Sequence, residues 1–215
     1  EKPSNKALEL GSLVHKLILE PDEFASSYYV LENIDRRTKE GKERYIKALA
    51  EAEAENKEII DLATYNQGKE IAEAFNNTSV AKLLDKGVAE HCAFSELDGV
   101  AVKCRPDYFN LSKNIIIDLK TTSNDNGANP NEFLKAVANY GYYIQAQWYL
   151  NITGAKNFIF VALETTEPYC FAVYELDQSF LDLAVEKIDK ALSIYKNLAH
   201  YSKEYKSEFG DGEPQ

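Results

Sequence analysis

The stretch KCRPDYFNLSKNIIIDLKTT, residues 103–122, decides the fold because it contains two strand-like runs around the polar loop LSKN. Side chains alternate across a strand, so Asp118 and Lys120 point to the same face, roughly 7 Å apart along the chain. If residues 111–114 form the loop, Asp107 lies directly opposite Asp118 on that face. The sequence therefore predicts an antiparallel hairpin on which two carboxylates and one ammonium group share a face.

Two carboxylates beside a lysine suit a hard divalent cation. Mg²⁺ prefers oxygen ligands and retains several waters, and a bound metal lowers the pKa of a water and clamps phosphate oxygens. Lys120 can position that water or offset charge that develops on the phosphate. Mn²⁺ also favours oxygen ligands, so the pattern does not separate the two metals. The spacing fits equally well a solvated Asp-Lys pair on an open sheet face, with Asp107 in a turn.

Three other segments carry polar side chains in positions that favour a functional site. In GSLVH, Gly11 and His15 lie one helical turn apart, which leaves room for a group to approach the imidazole. Glu90 falls on the apolar face of its predicted strand, where a carboxylate needs a metal or a cation as partner. Gln145 and Tyr149 share a helix face at i and i+4. Taken singly, each also has an ordinary explanation: a surface histidine, a buried ion pair, or a polar edge beside a core stripe.

Hydrophobic periodicity predicts an α/β fold, layered in the α+β manner, with a central mixed β-sheet flanked by helices. The predicted helices are a first helix capped at Ser4 or Asn5 and closing near Glu20, helices over 40–62 and 64–76, a short helix over 79–87 with Gly87 as its C-cap, a long helix over 132–150 and a last helix over 178–205. The predicted strands cover 88–97, 100–109, 114–122, 157–165 and 169–176. The first three form a meander with a turn at Asp98-Gly99.

Length and composition indicate one domain over residues 1–215, with a loose tail over 206–215. No apolar run approaches the ~18 residues that cross a bilayer, so no membrane segment is expected. The cysteines, Cys92, Cys104 and Cys170, lack the spacing of a disulfide framework or a four-cysteine metal site, which favours a reducing cytoplasm. The chain has no methionine and begins abruptly, which indicates a piece of a longer protein.

The formal net charge of −11 argues against a nucleic-acid-binding protein, because phosphate contacts use lysine and arginine. Much of the acid, however, lies within residues 40–61, where charge alternates with alanine as in a solvated helix. Charge placed there does not determine the charge of a cleft elsewhere.

Taken in order, these motifs resemble those of the PDDEXK nuclease superfamily. The series is G-x-x-x-H, a strand glutamate, RPD, DLK followed by two threonines, and Q-x-x-x-Y. Within the superfamily the chain resembles the RecB-like nuclease domains and, more narrowly, RecE-type exonuclease VIII and its phage and prophage relatives, over residues 8–150. The resemblance implies these roles: His15, Glu90, Asp107 and Asp118 line the metal site, Lys120 is the catalytic lysine, and Gln145, Tyr149, Thr121 and Thr122 support the site or contact DNA.

The same resemblance implies a Mg²⁺-dependent exonuclease that degrades linear double-stranded DNA from the 5′ end, in recombination or phage DNA metabolism. Such enzymes often form homo-oligomeric rings and act beside a single-strand annealing protein. The four cysteines of the iron-sulfur members are missing, so no iron-sulfur cluster is expected. Relatives also carry a segment upstream of the first helix. Two alternatives stay open: a catalytically weak DNA-binding or assembly module, and an endonuclease of the same fold.

Overall fold

A computed structural model describes residues 6–123 and 126–209. The helices are α1 (Lys6–Leu19), α2 (Phe24–Ser27), α3 (Lys39–Ala54), α4 (Leu62–Asn76), α5 (Pro130–Tyr140), α6 (Tyr142–Thr153) and α7 (Gln178–Phe209). The strands are β1 (Tyr28–Leu31), β2 (Glu58–Asp61), β3 (Gly87–Ala89), β4 (Ala93–Leu97), β5 (Val100–Cys104), β6 (Tyr108–Asn110), β7 (Ile115–Thr122), β8 (Asn157–Glu164) and β9 (Phe171–Tyr174). Within these ranges, no helix combines the length and apolar character that crossing a membrane requires.

Five strands form the central sheet in the order β3-β6-β7-β8-β9. Strands β7 and β8 are parallel, whereas the other neighbours are antiparallel. One core packs α1 and α4 against one face of this sheet, and a second core packs α5 and α6 against the other. The predicted layered fold, a mixed sheet flanked by helices, is therefore confirmed.

Successive side chains of strand β7 point alternately into the two cores. Ile117 and Leu119 pack in the core of α1 and α4, whereas Ile116 packs in the core of α5 and α6. Because side chains alternate along a strand, Asp118 and Lys120 continue the face of Ile116. The sequence thus places two charged side chains on the α6 side of a buried strand.

The strands of the predicted meander are antiparallel, as expected, but the first two of them are not continuous. Each of its first two strands is broken, and the central pieces form a separate antiparallel hairpin, β4–β5, around Asp98-Gly99. The first break is at Glu90, whose φ of 47° lies in the left-handed region and turns the chain out of the sheet. The second break covers residues 105–107, where Pro106 lacks the N–H that a ladder needs. The hairpin packs instead on α6 and α7.

The predicted helix over 40–62 is too long. Helix α3 ends at Ala54, and Asn56 with φ 52° redirects the chain into β2, which pairs in parallel with the unpredicted strand β1. The β-branched residues Ile59 and Ile60 favour this strand. The preceding residues alternate charge with alanine as a solvated helix does, so the predicted helix extended through the strand.

Three helix ends also differ from expectation. The short helix is only a 3₁₀ turn over Val80–Leu83, and Gly87 is not its C-cap but the start of β3, where Phe109 O would lie 2.3 Å from an added Cβ. The helix over 132–150 is divided at Gly141, whose φ of 69° ends α5 and begins α6. Helix α7 continues to Phe209, so residues 206–209, which were predicted to belong to a loose tail, are helical. The predicted caps Ser4 and Asn5 and the end of the tail lie outside the described residues.

Candidate active site

The two aspartates of the opening stretch meet where strands β6 and β7 separate. The register pairs Asn110 with Ile115, which makes residues 111–114 the connecting loop. The ladder ends at Tyr108, opposite Ile117, one residue short of Asp107 and Asp118. Strand β6 begins only after Asp107, whereas β7 runs on, so the carboxylates lie at the mouth of an opening between the strands.

One part of the site, here called the inner half, consists of Asp118, Lys120, Gln145 and Tyr149. The Asp118 side chain is completely buried. Gln145 Nε2 donates to Asp118 Oδ2 at 2.9 Å, and Lys120 Nζ lies 2.5 Å from Asp118 Oδ1. Tyr149 is hydrogen-bonded to Gln145 one turn earlier on α6. The predicted i, i+4 pair therefore reaches Asp118 through Gln145.

The other part, here called the outer half, consists of His15, Glu90 and Asp107. His15 Nδ1 lies 3.5 Å from Asp107 Oδ2, and the backbone N–H of Leu119 donates to the same oxygen at 2.8 Å. Glu90 Oε2 lies 3.0 Å from Arg105 Nε. One ligand atom from each of the three outer-half residues lies within 4.8 Å of the others. The sequence placed these residues far apart, and the fold brings them together.

The broken strands make the outer half possible. The backbone N–H of Glu90 donates to Asp107 O at 2.9 Å, one residue beyond the β3–β6 ladder. The left-handed backbone at Glu90 then sends the following hairpin away from the sheet. Because β6 does not extend to Asp107, His15 can reach Asp107 from α1. Gln145 reaches Asp118 from α6, on the opposite face of the sheet. The site thus joins both helical layers at one end of the sheet.

Burial dominates the electrostatics of the carboxylates. It raises the pKa of Asp107 to about 6 and, together with the charge of Asp107, raises the pKa of Asp118 to about 7. Burial lowers the pKa of His15, which favours the neutral imidazole that binds metals. Burial also disfavours the charged form of Lys120, but the neighbouring Asp118 outweighs it and the pKa of the lysine is raised.

The donor set fits a divalent cation. Buried Asp118 Oδ1 is near the Lys120 ammonium but accepts no aligned hydrogen bond from the described residues. One fully buried and one partly buried carboxylate, both with raised pKa values, favour a compensating positive charge at this place. Oxygen ligands from Glu90, Asp107 and Asp118 suit Mg²⁺ or Mn²⁺, and a neutral His15 adds one nitrogen. The ligand roles themselves remain a proposal.

The two threonines after Lys120 have different surroundings. A Cβ added at Gly11 would lie 2.8 Å from Thr121 Oγ1, so the space beside the helix glycine is used by β7 rather than by a group approaching the imidazole. Thr122 supports the following loop, since a Cβ at Gly127 would lie 2.2 Å from its Oγ1. Its carbonyl also accepts from the N–H of Thr165 at 2.8 Å. Both threonines thus occupy packing positions next to the site.

Sequence reasoning missed two residues of the site. Arg105 is paired with Glu90, and its place two residues before Asp107 could have indicated a basic group next to these carboxylates. The Tyr142 ring lies below Lys120, with 4.7 Å between Nζ and the ring centre. Tyr142 is one turn before Gln145 on the same helix, so its position followed from the same spacing.

A mixed sheet with two carboxylates and a lysine at one end, flanked by helices on both faces, is the arrangement of a PDDEXK-like domain. The family described as a PDDEXK-like domain of unknown function (DUF3799) matches residues 1–207. The chain therefore belongs to this family, which confirms the resemblance to the PDDEXK nuclease superfamily.

Two solved structures are similar to the chain. A provisionally assigned exonuclease from Eubacterium rectale has a TM-score of 0.57 at 18% identity, over 90% of this chain and 67% of that one. A phage-related exonuclease from Haemophilus somnus 129PT has a TM-score of 0.44 at 14% identity, over 89% of this chain and 94% of that one. At these identities the first likeness concerns the fold alone. No curated protein matches the chain.

Proposed function

We propose that the chain is a metal-dependent DNA exonuclease that degrades linear double-stranded DNA in the 5′ to 3′ direction. The observation that carries this proposal is the meeting of Asp107, Asp118 and Lys120 with His15 and Glu90 where β6 and β7 separate. Membership of a PDDEXK-like family supports a nuclease as the class of enzyme. Polarity and the preference for ends come from the resemblance to RecE-type exonucleases.

The outer half and Asp118 would together hold Mg²⁺, with Mn²⁺ as a substitute. When bound, the ion would polarise the scissile phosphate and make a water more acidic. Asp107 Oδ2 is fixed by the N–H of Leu119, and Asp118 Oδ2 is fixed by Gln145. These hydrogen bonds fix the orientation of each carboxylate, so Oδ1 of Asp107 and Oδ1 of Asp118 also have defined positions.

Lys120 would act on the reacting groups. Its ammonium stays protonated because its pKa is raised, so it serves as a cation rather than as a base. Held over the Tyr142 ring next to Asp118, it would orient the attacking water or stabilise charge on the phosphate oxygens. Gln145 and Tyr149 would fix Asp118 as supporting residues that contact the ligand carboxylate rather than the substrate.

Resection from 5′ ends would leave single-stranded 3′ overhangs. A single-strand annealing protein is the class of partner that uses such a product, and we include it, with a homo-oligomeric ring, in the proposal. A molar mass measured by light scattering at several protein concentrations tests the ring, since a monomer of 24.3 kDa at every concentration would contradict it.

The decisive assay compares linear and circular duplexes of one sequence, labelled at the 5′ or the 3′ end, with Mg²⁺ or with a chelator. The wild type is expected to release the 5′ label first from linear DNA, and to leave the covalently closed circle intact. Asp118→Ala and Lys120→Ala are expected to be inactive. Lys113→Ala, which removes an exposed lysine from the β6–β7 loop, is the matched control and should keep wild-type activity.

The other outcomes separate the alternatives. Cleavage of the closed circle would make the protein an endonuclease of the same fold. Metal-independent DNA binding without hydrolysis by the wild type would make it a binding or assembly module. Undiminished activity in both Asp118→Ala and Lys120→Ala would refute the site.

A further inference from the structure

A pocket of about 230 Å³ lies beside the inner half of the site and shares Lys120 with it. Its walls are the end of β7, the loop at Gly127, one face of α5 and the start of α6. Lys120 lines it, and the rings of Tyr140 and Tyr142 form its aromatic side. The proposed chemistry uses only the lysine of this pocket, so the remaining walls have no role in it.

Tyr140 is the unusual member of this pocket. Its side chain is 73% exposed although it is a large aromatic residue beside a buried, charged site. The ring centre is 5.6 Å from that of Tyr142 at an interplanar angle of 31°, and Tyr142 in turn lies below Lys120. An exposed aromatic ring is thereby held in a fixed position one ring away from the lysine.

The charge of the pocket does not oppose a nucleic acid strand. Among the described residues that line the pocket, the acidic one, Glu132, is paired with Lys135 at 2.6 Å. Ser123 adds a hydroxyl at the opening, and Phe133 and Ala136 give the wall of α5 an apolar surface. Proteins that bind single strands combine positive charge for the backbone with aromatic rings for the bases. This pocket offers the same combination on the scale of one nucleotide.

We propose that this pocket binds one unpaired nucleobase of the strand being degraded, stacked on Tyr140, next to the phosphate at Lys120. The inference rests on the proposed function, since the strand enters because it is a substrate. An apolar wall and a stacked ring accept any base, because every base has a π face. The pocket would therefore position the terminal nucleotides without selecting a sequence.

The test is a double-mutant cycle in which the Tyr140 ring, one nucleobase of the DNA, or both are removed. Binding is measured by fluorescence anisotropy with a series of 5′-phosphorylated duplexes. Each duplex carries a single abasic nucleotide, at a different one of the first few positions from the 5′ end. Ca²⁺ replaces Mg²⁺, because it takes oxygen ligands in a looser geometry that suits binding more than hydrolysis. Tyr140→Ala or the abasic nucleotide at the stacked position is expected to weaken binding roughly 5- to 150-fold, which is a stacking energy of about 1–3 kcal/mol converted at about 1.4 kcal/mol per tenfold. The double change should weaken binding no further than one change alone.

Two controls accompany the cycle. Tyr140→Phe keeps the ring and should bind as the wild type, and Tyr195→Ala removes another exposed tyrosine, from α7, and should change nothing. Melting temperatures show whether each variant is folded. Additive effects of ring and base at every position, with DNA still bound, would overturn the pocket inference and leave the nuclease intact. Absence of DNA binding by the wild type would instead overturn the proposed function.

Discussion

The inner and outer halves of the site are built in opposite ways. Asp118 and Lys120 belong to an unbroken strand, and Gln145 belongs to a regular helix that packs over it. Asp107 and Glu90, by contrast, lie where strands are interrupted, one of them with a left-handed backbone. Regular structure therefore fixes the half proposed to act on the phosphate, whereas two of the three outer-half residues lie in irregular backbone and only His15 lies on a helix. The halves should respond differently to substitution and to metal concentration.

The largest effect is expected from neutral replacements in the inner half. Asp118→Asn and Lys120→Met remove a charge that the proposed transition state needs, so activity should fall by about 10²- to 10³-fold or more. Because neither change only weakens metal binding, excess Mg²⁺ should not restore activity. Initial rates on linear DNA over a wide range of Mg²⁺ concentrations measure this. If high Mg²⁺ restored the activity of either variant, the inner half would respond to metal as the outer half is expected to, and the proposed difference between the halves would be wrong.

The outer half should show a smaller and reversible loss. Glu90→Gln or His15→Ala removes one donor while the inner half stays in place, so the dissociation constant for Mn²⁺ should rise by at least about tenfold. Calorimetric titration measures that constant directly, and raising the metal concentration should restore much of the activity. Glu96→Gln, on the exposed face of β4, is the matched control. An unchanged Mn²⁺ affinity in Glu90→Gln would remove Glu90 from the ligand set.

The same contrast explains what the sequence could reveal. Alternation along residues 115–122 placed Asp118 and Lys120 on one face of a strand, and the predicted loop over 111–114 agrees with the pairing of Asn110 with Ile115, because strand geometry leaves little choice. The helix spacing of Gln145 and Tyr149 was equally direct. Contacts across the opening could not be derived, because they depend on a backbone turn at Glu90 and on how α1 packs. Helix spacing and strand alternation made His15 and Glu90 candidates, but only the resemblance to a family assigned them to the same site as Asp107 and Asp118.

Interrupted segments also account for the errors in the fold. Strands 88–97 and 100–109 look continuous in sequence, since apolar residues alternate throughout, and only Pro106 indicates a break. Strands β1 and β2 are four residues each, too short to stand out against the helical charge pattern next to them. Their pairing is a tertiary choice that local propensity does not determine.

The pH dependence of stability should differ with and without metal. Raised pKa values of Asp107 and Asp118 mean that the folded protein binds these protons more tightly than the unfolded chain. The resulting stability is fully present below about pH 4 and is lost as the pH rises through about 6 to 7. In a chelator, the melting temperature should therefore fall between pH 5 and pH 8.

Asp118→Asn isolates this effect from the general influence of the negative net charge. The variant lacks the titrating carboxyl, so its melting temperature should fall less over the same range. Adding Mg²⁺ should stabilise the wild type at pH 8 and hardly at pH 5, because the ligands must be deprotonated. Parallel curves for the wild type and Asp118→Asn in chelator would show that Asp118 does not titrate in this range.

The smallest effect concerns the contact that sets the distance between α1 and β7. Gly11→Ala would place a Cβ 2.8 Å from Thr121 Oγ1, so the helix or the threonine must shift. Overpacking of this kind costs about 1–3 kcal/mol, which exceeds the gain of about 1 kcal/mol in helix propensity. Chemical denaturation should show a lower free energy of unfolding. Since His15 lies one turn further along α1, Mn²⁺ affinity should also fall, but less than in His15→Ala.

A second substitution at position 121 identifies the cause. Thr121→Ala removes the atom that a new Cβ would meet, so the pair Gly11→Ala and Thr121→Ala should recover both stability and metal affinity relative to Gly11→Ala with threonine in place. Thr121→Val retains a methyl group where the hydroxyl was and should give no recovery. If valine rescues as well as alanine, the loss comes from the hydroxyl rather than from crowding. In that case the outer half depends on a polar contact of Thr121, and not on how closely α1 approaches the strand that carries the inner half.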